Sequence, residues 1–234
     1  MTKILITGIT GFLGEVLISD ILKHTDYIIY GLIRPKKGKE IKERLEKLWT
    51  GVPLQIVKSE KNRLIAIEGD VSLDNWGISE EDISIIKDCD VIIHNASVIK
   101  FDQSLKDTIL HNVNPVIYLQ NLMKRLDNVQ RVIYTSTAYV SKPDLNPIFP
   151  KLEPMIYDYK KLTQDILEER VKWEEVKMYH NNTYTFSKSL AEYHFLNRIK
   201  NGIIVRPSII GPALKYPIIN WNNSIAGPVG YILS

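Results

Sequence analysis

The most constraining feature of this chain is a glycine-punctuated turn that begins at its seventh residue. Ile4-Leu5-Ile6 reads as a short apolar strand and runs directly into Thr7-Gly8-Ile9-Thr10-Gly11-Phe12-Leu13-Gly14. The three glycines answer three geometric demands. One permits a tight turn after the strand, one lets a ligand approach the backbone, and one lets the following helix lie close to the sheet. A helix opened in this way presents unpaired N–H groups and the positive end of its dipole, a setting suited to a dinucleotide pyrophosphate. The spacing is GxxGxxG rather than GxGxxG, so the strand before and the helix after carry the reading.

Downstream, apolar runs alternate with amphipathic stretches, which predicts a parallel sheet covered on both faces. Strands are expected at residues 3–7, 27–33, 64–68, 91–94, 131–136 and 203–206. Helices are expected to start near Gly11, Lys39, Glu80, Leu105, Tyr159 and Thr183. Six strands with intervening helices fit a doubly wound Rossmann α/β fold in the order 3-2-1-4-5-6, with ligands at the carboxyl ends of the strands. Gly8, Arg34, Asp70, Asn95 and Thr137 each follow a predicted strand. The expected organisation is a nucleotide-binding domain over 1–212 and the start of a substrate-binding region over 213–234. Residues 141–180 form an insertion near the mouth of the site. Pro143, Pro147, Pro150 and Pro154 block a regular helix in its first part. A helix should follow, with Leu162, Ile166, Trp173 and Val176 on one face. The insertion could cover the mouth or pack as a surface excursion. The apolar end, from Ala226 to Ser234, reads as truncation of a longer protein.

Composition excludes several classes. With 44% hydrophobic and 24% charged residues the 234-residue chain can build a core, and a net charge of +3 is too mild to argue for nucleic acid. The single cysteine, Cys89, rules out a disulfide framework and a cysteine-based metal cage, and no metal site is expected. No basic leader precedes a long apolar run, and nothing reaches the ~18 apolar residues of a membrane span. A cytoplasmic setting is the expectation.

Cofactor choice is read at the end of the second strand. That strand ends Ile33-Arg34-Pro35-Lys36-Lys37, with no carboxylate to bind a ribose diol. Arg34 can pair bidentately with a 2′-phosphate, and Lys36 or Lys37 can add charge, so NADPH is favoured over NADH. Asp70, followed by Val71, could accept from the adenine amino group, or it could be a turn aspartate. Asn95 and Ala96 follow the fourth strand, where small residues let a cofactor lie against the backbone. His94 beside them reads as a packed, hydrogen-bonded residue rather than a catalyst.

Hydride transfer to a carbonyl leaves negative charge on oxygen, which a positioned acid must neutralise. Tyr184 and Lys188 stand at i, i+4 on a predicted helix and so share a face. A tyrosine is a weak acid near ~10, and a neighbouring ammonium favours its phenolate. The fifth strand ends Thr135-Ser136-Thr137, which offers a hydroxyl to fix the carbonyl oxygen. Thr137 is assigned that role, with Ser136 as competitor. Asn112 could anchor a water that relays protons to Lys188.

These stretches resemble the fatty acyl-CoA reductases of the male-sterility type, within the extended short-chain dehydrogenase/reductases. The matching segments are TGITGFLG (7–14), GLIRPKKGK (31–39), EGDVS (68–72), VIIHNASVIKFD (91–102), STAYV (136–140), NTYTFSKSLAE (182–192) and IVRPSIIGPALKYPIINWNNSIAGPVG (204–230). The resemblance implies NADPH-dependent reduction of a long-chain acyl-CoA thioester to aldehyde or alcohol. It assigns catalysis to Thr137, Tyr184 and Lys188, and the cofactor to Gly8, Gly11, Gly14 and Arg34. Arg206, Pro207 and Ser208 would lie on the closing side of the nicotinamide site. Membrane attachment of a longer form stays open, as does oligomeric state. One departure, Asn114-Pro115 after Asn112-Val113, predicts altered local helix geometry. Rival readings are a thioester reductase domain, a nucleotide-sugar epimerase or dehydratase, and a non-catalytic NADP-binding module.

Overall fold

The computed structural model describes residues 1–36, 40–142 and 147–223. Six strands form one sheet: β1 (Lys3–Thr7), β2 (Ile28–Ile33), β3 (Leu64–Glu68), β4 (Val91–His94), β5 (Arg131–Thr135) and β6 (Gly202–Val205). All neighbours pair in parallel, in the order β3-β2-β1-β4-β5-β6. The order reverses between β1 and β4, and there the register sets Thr7 against His94 and His94 against Tyr134. The carboxyl ends of the central strands therefore finish level, beneath one crevice.

The helices are α1 (Phe12–His24), α2 (Ile41–Leu48), α3 (Val52–Gln55), α4 (Glu80–Ile86), α5 (Leu105–Asn112), α6 (Asn114–Met123), α7 (Tyr159–Leu167), α8 (Trp173–Val176) and α9 (Thr183–Arg198). They cover both faces of the sheet, because alternate strand residues point opposite ways. Leu5 of β1 packs with Ile92, Val132 and the helices α5, α6 and α9. Ile4 and Ile6 of the same strand pack on the other face, with Ile18 and Leu22 of α1. Full burial of each such side chain contributes about 1.5–3 kcal/mol.

Helix ends are specified locally. Ser79, Ser104, Asp158 and Asn182 each accept a backbone N–H of the first turn of α4, α5, α7 and α9. Each such cap contributes about 1 kcal/mol. By contrast α1, which starts after Gly11, has no side-chain cap.

Two predicted helices are divided. The one expected from Leu105 ends at Asn112, and α6 restarts with Pro115 in its first turn. Proline lacks the N–H a continuous helix would need there. The helix expected over 159–176 breaks where Glu169 adopts a φ of 58°, so Leu162 and Ile166 lie on α7 while Trp173 and Val176 lie on α8. The helix expected near Lys39 starts at Ile41; Lys39 itself is outside the described residues.

Within the described part of the 141–180 insertion, α7 packs on α5 and α9. Described residues of 213–223 meet α1. There Trp221 stacks on Phe12 with ring centres 5.2 Å apart, and Asn223 Nδ2 donates to Glu15 Oε2 at 3.0 Å. Among the described residues no helix is long and apolar enough to cross a membrane.

Candidate active site

A cleft of about 770 Å³ runs over the carboxyl ends of β1, β2, β4 and β5. Its floor is the glycine turn. Gly8 has a φ of +73°, and a Cβ there would stand 2.9 Å from the Ala96 nitrogen. The turn thus lies directly against the Asn95-Ala96 segment. A Cβ on Gly14 would come within 2.2 Å of the Gly8 carbonyl oxygen, so α1 can pack onto the turn only with glycine at that position. Gly14 lies beneath the cleft, whereas Thr7, Gly8, Thr10, Gly11, Phe12 and Leu13 line it. Lacking a side-chain cap, the first N–H groups of α1 remain available to an anion.

Thr7 organises the crevice. Its Oγ1 accepts from the N–H groups of Asn95 (3.1 Å) and Ala96 (3.0 Å) and lies 2.9 Å from His94 Nδ1. With both lone pairs used, the hydroxyl proton points at Nδ1, which makes His94 the neutral Nε2–H tautomer. Burial pushes His94 down to about 3, and its ring stacks between Trp76 and Tyr134. His94 is a packed residue, as its position in the sequence suggested.

At one end of the cleft lie Arg34, Asp70 and Val71. Asp70 Oδ1 accepts from Ser72 N (2.9 Å) and Ser72 Oγ (2.7 Å), so the aspartate builds its own turn while lining the cleft. Lys37 lies outside the described residues. Sequence reasoning missed Arg44 on α2. Its guanidinium donates to the Arg34 carbonyl and, at 3.3 Å, to Thr10 Oγ1, and it lines the same end of the cleft. An arginine one helical turn into the element after a basic loop was the available signal.

At the other end stand Thr137, Tyr184, Lys188 and Pro207. Tyr184 and Lys188 lie on α9, whose first turn Asn182 caps. Tyr184 is half-buried, with the Phe101 ring edge-on at 5.9 Å, and burial pushes its hydroxyl up. Lys188 is 2% exposed; its Nζ donates to the Thr135 carbonyl at 2.6 Å and sits 4.2 Å above the Tyr134 ring centre. Burial pushes Lys188 down to about 7, and Glu192 opposes that shift. Thr137 Oγ1 accepts from Tyr139 N at 3.3 Å. Ser136 also lines the cleft, with its Oγ buried and without a hydrogen-bond partner among the described residues. Both hydroxyls named in the sequence therefore line the site.

Asn112 requires a correction. It does not line the cleft. Its Oδ1 accepts from Ser97 Oγ (3.0 Å) and Val98 N (2.9 Å), and its Nδ2 donates to Val98 O (3.0 Å) and Ser187 Oγ (3.1 Å). A side-chain amide has two lone pairs and two N–H groups, and all four are engaged. Asn112 thus clamps the loop after β4 to α9, and its side chain has no capacity left to anchor a relay water.

Over residues 6–233 the chain matches the family described as male sterility protein. The chain belongs to that family. Among curated relatives, a candidate fatty acyl-CoA reductase of Drosophila melanogaster is 35% identical over 247 residues, covering 99% of this chain and 48% of the relative. Fatty acyl-CoA reductase 1 of Rattus norvegicus is 30% identical over 253 residues, with the same two coverages of 99% and 48%. This male-sterility family chain therefore spans about half the length of the curated relatives it matches. Among solved structures, the terminal R domain of the myxalamid PKS-NRPS pathway superposes with a TM-score of 0.72 at 22% identity, over 95% of this chain and 52% of that one. Yeast methylglyoxal/isovaleraldehyde reductase Gre2, complexed with NADPH, gives 0.63 at 18% identity, over 91% and 60%. These likenesses establish a Rossmann-like fold.

Proposed function

We propose that this family member is the cofactor-binding and catalytic half of an NADPH-dependent reductase acting on fatty acyl-CoA thioesters. One observation carries the reading: a single cleft joins the uncapped N-terminus of α1 and two arginines to a Tyr/Lys pair. The residues present fit the cofactor. A Cβ at Gly8 would close the cradle against Ala96, and Arg34 and Arg44 match the planar, bidentate chemistry of a 2′-phosphate. Thr10, Gly11, Phe12 and Leu13 would hold the pyrophosphate; Asp70 and Val71 the adenine; Asn95, Ala96 and Pro207 the nicotinamide half.

When bound, NADPH supplies hydride to the thioester carbonyl carbon. Tyr184, kept protonated by burial, donates its proton to the carbonyl oxygen as charge develops there. Lys188 stabilises the phenolate left behind. Thr137, with Ser136 beside it, orients the oxygen by hydrogen bonding. The product of this step is a hemithioacetal; its collapse expels the CoA thiol and leaves an aldehyde. A second round at the same residues, with a second NADPH exchanged for the oxidised cofactor, would give the alcohol. Ile99, Phe101, Tyr139 and Ile209 are exposed along this end of the cleft and offer an apolar wall to an acyl chain.

The test compares NADPH oxidation with a long-chain acyl-CoA, an acyl-carrier thioester and a nucleotide sugar. Turnover with the acyl-CoA supports the reading. Turnover only with a nucleotide sugar, or NADPH binding with no turnover in the full-length protein, refutes it.

A further inference from the structure

The ammonium of Lys188 is held by two consecutive residues at the end of β5. Its Nζ donates to the Thr135 carbonyl at 2.6 Å and lies 4.2 Å from the centre of the Tyr134 ring, inside the ~6 Å reach of a cation–π contact. The titratable groups that face Lys188 are Tyr184 and Glu192 from α9, Tyr134 from β5 and His94 from β4. Glu192 gives both its carboxylate oxygens to the Arg206 fork, and among the described residues no hydrogen bond or ion pair joins it to Lys188. His94 is neutral, since burial pushes it down to about 3. A buried ammonium needs compensation, and the electron-rich face of an aromatic ring supplies it most strongly where the pair is desolvated.

The Tyr134 ring is fixed and uncharged. It is buried, and it stacks with the His94 ring (centres 5.6 Å apart, planes at 18°) and with the Phe195 ring (5.3 Å, 28°). Phe195 lies on α9 with Lys188, so the helix that carries the ammonium also pins the ring beneath it. Burial pushes the Tyr134 phenol well above its ordinary value, which keeps it protonated. Its hydroxyl oxygen is buried without a hydrogen-bond partner among the described residues. The ring face, rather than the hydroxyl, is therefore what Tyr134 offers to Lys188.

We propose that Tyr134 is a positioning residue whose ring face stabilises the ammonium of Lys188 without neutralising it. A carboxylate in direct contact would cancel much of the positive field. A neutral ring holds the cation in place and leaves that field to act on Tyr184, one turn earlier on α9. The catalytic consequence rests on the reading of Lys188 given above; the electrostatic claim does not.

The test is a titration of the cofactor-free protein labelled with ¹³C at lysine Cε, in which the Lys188 signal is assigned by its loss in Lys188→Arg. Tyr134→Phe keeps the ring face and removes a hydroxyl that has no partner, so the Lys188 midpoint should stay near the wild type. Tyr134→trifluorophenylalanine keeps the shape of that ring but withdraws electron density from its face. It should lower the midpoint by about one unit relative to Tyr134→Phe, roughly tenfold in proton affinity. Tyr134→Leu should lower it at least as far; because it also leaves a gap in the core, the fluorinated ring is the variant that keeps the packing. Equal midpoints in the phenyl and trifluorophenyl forms overturn the proposal, since a merely structural ring would act alike in both. In the reductase assay the alkaline limb of kcat/KM should move down with the midpoint. Absence of turnover in every form would defeat the functional reading while leaving the titration result intact.

Discussion

Removal of the Asn112 amide tests the clamp directly. Asn112→Ala deletes four hydrogen bonds, to Ser97 Oγ, Val98 N, Val98 O and Ser187 Oγ. A net hydrogen bond is worth about 1 kcal/mol, and more where a buried partner is stranded. Ser97 and Val98 are half-buried, so water can reach them in the variant, and Ser187 keeps its bond to the Tyr184 carbonyl at 2.7 Å. The expected loss is therefore about 2–3 kcal/mol rather than the full sum. At about 2–4 °C per kcal/mol for a chain of this size, the midpoint should fall by about 5–10 °C. Differential scanning calorimetry or urea unfolding reads this. NADPH affinity should fall as well, because Ser97 and Val98 line the cleft. A variant with wild-type stability and a selective loss of rate would refute the clamp and restore the water-anchor role.

Other outcomes follow from single features of the structure. Gly14→Ala drives a methyl group into the Gly8 carbonyl, at 2.2 Å before relaxation; overpacking costs about 1–3 kcal/mol, so NADPH binding weaker by about 5- to 150-fold is expected by fluorescence titration. Arg34→Ala and Arg44→Ala should each weaken NADPH by about 10–100-fold and leave NADH nearly unchanged, since a charged hydrogen bond is worth about 1.5–3 kcal/mol; equal losses for both cofactors would show that neither arginine reads the 2′-phosphate. Burial lowers three histidines from 6.5, His94 to about 3 and His180 and His194 to about 4. The unfolded chain then binds more protons than the folded one across that window. Stability should fall as pH drops from about 6.5 toward 4, by up to about 1.4 kcal/mol per pH unit for each histidine. A flat stability profile between those values would show that these rings are not held neutral.

The sheet was legible because its signals are local. The glycine turn and six apolar runs each act within a few residues, and strand order follows from the handedness of the crossovers. The cleft was legible for the same reason: residues that follow parallel strands must meet where the order reverses. What escaped depends on partners distant in sequence. Asn112 looked like a polar residue free for water until its four partners, up to 75 residues away, were placed around it. Arg44 comes to the cleft only through the path of α2 behind β2. Glu192 and Arg206 were quoted within motifs, but their mutual fork arises from the packing of α9 against the end of β6. Asn114-Pro115 stood out as a departure from the family pattern that altered local helix geometry, whereas the break at Glu169 has no comparable marker.

The most direct test of the central claim is a paired measurement on Tyr184→Phe. The substitution removes one hydroxyl from a half-buried ring and should leave NADPH affinity within about twofold. Acyl-CoA-dependent NADPH oxidation should fall by about 10²–10⁴, the usual contribution of a positioned acid. A variant that binds NADPH and keeps its rate would contradict the account, because Tyr184 would then not be the proton donor.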